Sequence, residues 1–394
     1  MREAFVLSPE CPWPAAGGGA VRTASIVEFL AQRYEVDMAL FRLHGEPDLR
    51  WAFPQHLLRR AEWIDLPRTS KSTLPRAARN VWRALRRRAP LVDRFAGQHA
   101  RLSQLTAGYH YRLGVCEHLW TAPYAAVLSP CCQTLVLDLH NVESRLYETH
   151  AAAESFPRST LSAAFARSSS ALERQWMPCF DVILAASEAD ASLARRLAPN
   201  ARVHVYPNAL PLVPRPAVEP EHVIVFSGNL EYHPNLTAIR FFRDHVWPGL
   251  KLRWPQLRWR LIGKNPDAAR PLLAGDSRVE FTGPLRDAVP EIARGQVAIV
   301  PLLSGSGTRV KILEAWAAGT PVVSTKLGAE GLRATDKEHL LLADTGEAFA
   351  AAVNTLLTSE RRCEELGAAG RRHYERHFTW TAAWERLAEC DLIV

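Results

Sequence analysis

In the stretch SGTRVKILEAWAAGTPVVST, residues 306–325, Arg309, Lys311 and Glu314 follow directly on a run of Ser and Gly at 304–307. A strand, a Gly/Ser loop and a helix start make an anion-binding corner. Backbone N–H groups converge there, and the helix end carries roughly half a positive charge. Arg309 brings a planar fork of donors to phosphate oxygens and Lys311 a point charge, while Glu314, nearly a turn on, is placed to accept from ribose hydroxyls. Two cations at a helix N-terminus oppose the helix dipole unless an anion joins them. The cluster therefore reads as a clamp for a nucleotide diphosphate in preference to a solvated first turn.

Other candidates are weaker on their own residues. The triplet Gly17, Gly18, Gly19 lies between a strand-like run and a helix expected to begin near Val21, with Arg22 just inside it. Such glycines let backbone approach a ligand, but they equally make a plain loop. His140 ends the run TLVLDLH (134–140), where an α/β sheet presents residues to ligands or simply buries a hydrogen-bonded imidazole. Glu143 is explained by favourable placement at a helix start. Glu330 sits between glycines in GAEGL, and His233 and Asn235 flank Pro234, which suits a helix start.

Elements must hold these groups in place. Short β-type runs alternate with helix-length segments, the pattern of parallel sheets covered by helices. Residues 4–8, 35–41, 134–140, 181–187 and 203–208 read as strands of a first Rossmann-like unit. Residues 223–228, 258–263, 279–283, 297–301 and 321–325 read as strands of a second, with a helix near 235–247. Between the two, Pro211, Pro214, Pro216 and Pro220 make a semi-rigid linker. The expected division is 1–210, a linker at 211–221, a domain at 222–378, and a final helix at 379–394 crossing back to the first domain.

At 394 residues the chain exceeds one hydrophobic core. No stretch approaches the apolar length of a membrane span or a signal peptide core, and the seven cysteines show no metal spacing. A soluble chain in a reducing cytoplasm is expected. The formal charge of +7 admits an anionic partner. Twelve basic residues fall at 59–101 against three acids there, so the rest of the chain is slightly acidic. Within that segment Val81, Trp82 and Leu85 recur among arginines, predicting an amphipathic helix over 76–92. Such a helix either lies on an anionic membrane or packs by its apolar side. The aromatics form no stacking platform, which argues against nucleic acid, and no strand leads into GxGxxG, which argues against a dinucleotide dehydrogenase.

The segment GSGTRVKILEAWAAGTPVVSTKLGAEGL (305–332) resembles the signature of family 4 glycosyltransferases. FSGNLEYHPNLTAIRFF (226–242), RLIGKNP (260–266), VYPNAL (205–210), DLHNVES (138–144) and PWPAAGGGAVR (12–22) fit the same family, in a branch that builds bacterial surface polysaccharides. The resemblance implies a GT-B fold, two doubly wound parallel-sheet domains facing each other across a cleft. It also implies transfer of a sugar from a UDP- or GDP-linked donor to a glycan or lipid-linked acceptor, with retention and without metal or other cofactor. By this likeness His140 touches the donor sugar or reacting centre, and Arg309 and Lys311 assist the leaving diphosphate. Gly18, Gly19, Arg22, Gly228, Asn229, Gly307, Thr308, Glu314 and Glu330 join them in binding the nucleotide sugar. Many members carry Glu-x7-Glu ending at the position of Glu314, but Ser306 stands at the first. Donor sugar identity is thereby left open, and a nucleotide-sugar epimerase or a silent nucleotide-binding protein stand as alternatives.

Overall fold

The computed structural model describes residues 2–15, 17–44, 46–67, 73–305 and 309–389. The expected binding residues Gly307 and Thr308, like Ser306, lie outside the described residues. The chain divides into two compact units, Met1–Pro207 with Trp384–Val394, and Asn208–Ala383.

The first unit is a parallel sheet of β1 (Arg2–Ser8), β2 (Tyr34–Leu43), β3 (Arg60–Leu66), β4 (Tyr111–Glu117), β5 (Cys132–Leu139), β6 (Val182–Ala185) and β7 (Arg202–Val205). Their order is β3-β2-β1-β4-β5-β6-β7. Central strands read as continuous apolar runs because helices cover both faces of a parallel sheet, and Ala4, Phe5, Val6 and Leu7 of β1 are all buried. β3 and β4 fall in the part of the sequence without legible strands. β3, RAEWIDL, is an edge strand whose charged residues pair outward, with Arg42 bonded to Asp65 and Arg60 to the Leu105 carbonyl.

The second unit carries β8 (Glu221–Ser227), β9 (Arg258–Ile262), β10 (Val279–Gly283), β11 (Gly295–Val300), β12 (Val322–Ser324) and β13 (Leu341–Leu342), in the order β10-β9-β8-β11-β12-β13. Trp259 is fully buried in it beside Phe242, and Trp316 beside Phe378. In both units the chain winds outward in one direction and then the other, so the order reverses between β1 and β4 and between β8 and β11. At such a switch point the helices leave in opposite directions and open a crevice beyond the carboxyl ends of the strands.

Two helices start differently from expectation. α1 (Gly18–Ala31) takes its first turn from Gly18 and Gly19, three residues before Val21. The helix His233–His245 begins ahead of Asn235, because Pro234 fits a first turn that needs no N–H. The single helix expected over 76–92 is instead α2 (Thr73–Leu85), a break with Arg87 at φ 52°, and a short helix Pro90–Phe95.

Candidate functional site

The opening cluster sits at the switch point of the second unit. Arg309 caps the helix Val310–Ala318, its carbonyl accepting from Ile312 N at 3.0 Å, and its guanidinium lies over Gly305. One turn in, Lys311 Nζ donates to Asn235 Oδ1 at 2.6 Å and stands 4.2 Å above the centre of the Phe226 ring. Glu314 accepts from the Ser227 hydroxyl at 3.0 Å. Lys311 and Glu314 are thus held by the end of β8 and the first turn of the helix His233–His245. Gly228 makes this approach possible: at φ 139° a Cβ would lie 2.9 Å from Asn235 Nδ2 and 3.3 Å from Lys311 Nζ.

Burial draws the Lys311 ammonium down to about 7, with Arg309 repelling it and Glu314 opposing the shift. Burial likewise pushes the Glu314 carboxyl up, against the Ser227 bond and the Lys311 charge. A partly desolvated cation and carboxylate side by side, each bonded to a neutral partner, form a site whose cation strengthens when a phosphate arrives.

Asn229 has a different part. Its carbonyl accepts from Asn235 Nδ2 at 2.7 Å, and its Oδ1 accepts from Glu231 N at 3.1 Å and Asn265 Nδ2 at 2.9 Å, so it shapes the loop that leads into the helix carrying Asn235. Glu330 lies half-buried on the turn after β12, its amide donating to the Leu327 carbonyl at 3.3 Å.

The first unit gathers a second cluster at its own switch point. Arg22, 1% exposed, donates from Nε and Nη2 to both Asp138 oxygens and from Nη1 to the Tyr206 carbonyl at 2.5 Å. It stands in a buried ion pair that joins α1, β5 and the chain after β7. Burial alone would raise Asp138, but Arg22 and His140 hold its carboxyl well below the usual range. His140 Nε2 lies 2.8 Å from Glu117 Oε2 and 3.0 Å from Asp138 Oδ2. Glu117 also accepts from Thr23 Oγ1 at 3.0 Å, while its Oε1 has no hydrogen-bond partner. Burial first, and then the Asp138 charge, push Glu117 well above an ordinary carboxyl. Of the two carboxyls it is the one that burial drives toward the protonated form.

His118 follows β4 at φ 64°, with neither ring nitrogen hydrogen-bonded. It is sandwiched between Trp120 at 4.1 Å and His140 at 3.5 Å, centre to centre, and burial lowers its affinity for a proton. Its Nε2 is 3.6 Å from Glu10, whose carboxylate also rests on Gly19, where a Cβ would fall 1.8 Å from Oε1. Gly19 therefore admits a carboxylate of the chain itself to the start of α1. Gly18 opens that helix.

Glu10, His118 and His140 are close enough to share a metal ion, as are Glu117, Asp138 and His140. The geometry of neither set favours one. The stacked imidazoles lie 26° from parallel with centres 3.5 Å apart, and lone pairs held in two such stacked ring planes do not readily converge on one ion. Asp138 is already held by Arg22.

The sequence reading thus named Arg22 and His140 but missed the groups they touch. Asp138 lies in the quoted DLHNVES and was passed over for the His two residues on. Glu117 and His118 end YRLGVCEH, whose Leu, Val and Cys were the available strand signal. Asn235 reads from the sequence as part of a helix start and Ser227 carries no signal there, because both act by contacting a residue far off in sequence.

Residues 221–359 match the family model described as Glycosyl transferases group 1. An uncharacterised 44.6 kDa protein in the cps region of Klebsiella pneumoniae is 27% identical over 135 residues, and the match spans 32% of this chain and 35% of that protein. Sucrose-phosphate synthase from Thermosynechococcus elongatus superposes with a TM-score of 0.74 at 18% identity, over 98% of each chain. HepE of Anabaena, solved with UDP-glucose, gives 0.67 at 16% identity over 98% of each. A variant of S. aureus TarM, solved with fondaparinux, α-GlcNAc-glycerol and UDP, gives 0.71 at 9% identity over 99% of each. The architecture is that of the GT-B glycosyltransferases: two α/β units, each with a parallel sheet.

Proposed function

We propose that this protein is a retaining glycosyltransferase that moves a sugar from a nucleotide donor to an acceptor hydroxyl. The observation that carries the proposal is the Lys311–Glu314 pair at the β8/β11 switch point, within the segment that matches a glycosyl transferase model. In this reading the second unit binds the donor. Lys311 and Arg309 neutralise the charge that grows on the departing diphosphate, an interaction stronger in the transition state than in the ground state. Glu314 accepts from ribose, and Ser227 keeps its carboxylate oriented. His140, hydrogen-bonded within its own unit beside Glu117 and Asp138, is assigned by the family resemblance to the donor sugar or the reacting centre. This assignment needs no metal, because positive side chains and a helix end supply the electrostatics.

The neighbours solved with UDP and UDP-glucose support a nucleotide sugar as donor, and the carrier proposed here is UDP or GDP. The relative from a cps region supports a role in surface polysaccharide or glycolipid assembly, with a glycan or lipid-linked acceptor in the cytoplasm. The test is a thermal-shift screen of nucleotide sugars followed by product analysis by NMR. A stabilising donor should be turned over with its anomeric configuration kept. Inversion would remove the retaining assignment, release of a free epimer would make the protein an epimerase, and stabilisation without turnover would leave a binding protein.

A further inference from the structure

α2 is folded inside out. Ala78, Val81, Trp82 and Leu85 recur at helical spacing on one face, and that face points to solvent, with Val81 52%, Trp82 44% and Leu85 79% exposed. The half-buried side instead carries Arg79, Asn80 and Arg83, with only Ala84 apolar among them. Arg83 Nε donates to Asp93 Oδ2 at 2.9 Å, and Arg88 Nη1 to Asp93 Oδ1 at 2.9 Å, so one acid anchors the polar side. A surface helix ordinarily buries its apolar stripe and shows its charges. Here the reverse arrangement leaves a Trp, a Leu and a Val uncovered beside three consecutive arginines.

We propose that this face is a docking surface for an anionic lipid bilayer. The charge argument selects the partner. Arg59 and Arg60 of the basic segment are paired on the sheet with Asp37, and Arg83 and Arg88 with Asp93. Arg86 and Arg87, next to the apolar face, have no carboxylate within ion-pair distance among the described residues, and both are exposed. Arg86 and Arg88 flank the Trp82 ring, their guanidinium carbons 5.6 and 5.4 Å from its centre. An indole at the edge of an apolar face, with guanidinium groups around it, matches the depth profile of a membrane interface. Aliphatic groups enter the acyl boundary, the indole sits at headgroup level, and arginines meet lipid phosphate. A second copy of this chain would bring its own arginines against these and repel. Nucleic acid would satisfy the arginines but leave Val81 and Leu85 wet.

The inference stands apart from the transferase reading, since its test requires no turnover. The full-length protein is sedimented with vesicles of phosphatidylcholine alone or with 30% phosphatidylglycerol added, at low and high salt. Binding is expected only with the anionic lipid and should weaken steeply with salt. Arg86→Gln with Arg87→Gln should weaken partition about fivefold per arginine. Trp82→Ser with Leu85→Ser should abolish it, with the melting temperature unchanged because all four side chains are exposed. Equal binding to neutral vesicles, or binding indifferent to the Trp82/Leu85 pair, overturns the proposal. So does absence of vesicle binding together with self-association that the Trp82/Leu85 variant loses, which would assign the face to a second copy.

Discussion

Lys311 and Asn235 lie 2.6 Å apart across the β8 loop, an ammonium bonded to a neutral amide while its carboxylate neighbour Glu314 is turned to Ser227. The charge is therefore held by a neutral group that an anionic phosphate oxygen can outcompete, since the phosphate adds a Coulomb attraction that the amide lacks.

The pH behaviour of this lysine separates function from stability. With its titration near 7 instead of 10.5, the folded chain binds fewer protons than the unfolded chain in that window, so stability rises with pH there and the burial cost is full below 7. Lys311→Met should stabilise by about 1–2 kcal/mol near pH 6, less than the full shift because the side chain keeps some solvent, and by nothing near pH 10.5. The same variant should lose about 1.5–3 kcal/mol of UDP or GDP affinity by calorimetry. In the unsubstituted protein that affinity should fall as pH rises above 7, where the phosphate is already ionised. Lys311→Arg, always charged, should remove the decline. Diphosphate binding unchanged in Lys311→Met would reduce the cluster to a structural helix start.

Glu314→Gln keeps the shape but accepts more weakly, so it should lower affinity for nucleoside and for diphosphate by the same amount, about 0.5–1.5 kcal/mol. Lys311→Met should spare the nucleoside. A loss in Glu314→Gln confined to the diphosphate would contradict the ribose assignment.

In the first unit, Glu117 and Asp138 are both buried carboxyls, yet their replacements should differ sharply. Burial drives Glu117 toward its protonated form, which Glu117→Gln mimics, so that variant should cost under about 1 kcal/mol. Asp138→Asn leaves Arg22 buried and uncompensated, which should cost about 3–5 kcal/mol in a urea melt. Similar losses in the two would show that Glu117 is ionised.

His140→Ala should lower turnover about a hundredfold or more while leaving nucleotide affinity nearly intact, read from kcat and from calorimetry respectively. Near-normal turnover would return His140 to a packing role beside Glu117.

Glu143 gives a pH test independent of activity. Burial pushes its carboxyl up to about 7, with the Trp120 indole bond and the Glu173 charge as smaller influences. A raised carboxyl contributes stability that is complete below its ordinary value of 4.5 and lost as pH rises through 7. Glu143→Gln, which still accepts from Trp120, should therefore gain on the unsubstituted protein between pH 5 and pH 8, by about 2–3 kcal/mol. Parallel stability curves would place Glu143 in a more solvated setting.

The strands bearing the sites were legible in proportion to their apolar continuity. VIVFS and TLVLDL announce central parallel strands, whereas RAEWIDL, with three charges in seven residues, looks like a helix turn or a loop until its neighbour β2 supplies partners. The Arg309–Lys311–Glu314 cluster could be read because all its parts lie on one helix. Arg22 reads as a binding residue for the nucleotide sugar because nothing in GGAVRT shows that Asp138, more than a hundred residues on, will meet it. The outward face of α2 was open to either orientation, since a helical period fixes which residues share a side and not which side is covered.

The indole of Trp384 donates to the Ser25 carbonyl at 3.1 Å, and its ring packs 6.3 Å from that of Phe29, so a residue near the end of the chain completes the back of α1. During synthesis the first unit emerges early, and domains ordinarily fold in the order they leave the ribosome. Here that order is interrupted: Ser25 and Phe29 wait, uncovered, until all of Asn208–Ala383 has been made. A gene cut at the linker would strand the same surface permanently, and co-expression of a segment carrying Trp384 would be needed to close it.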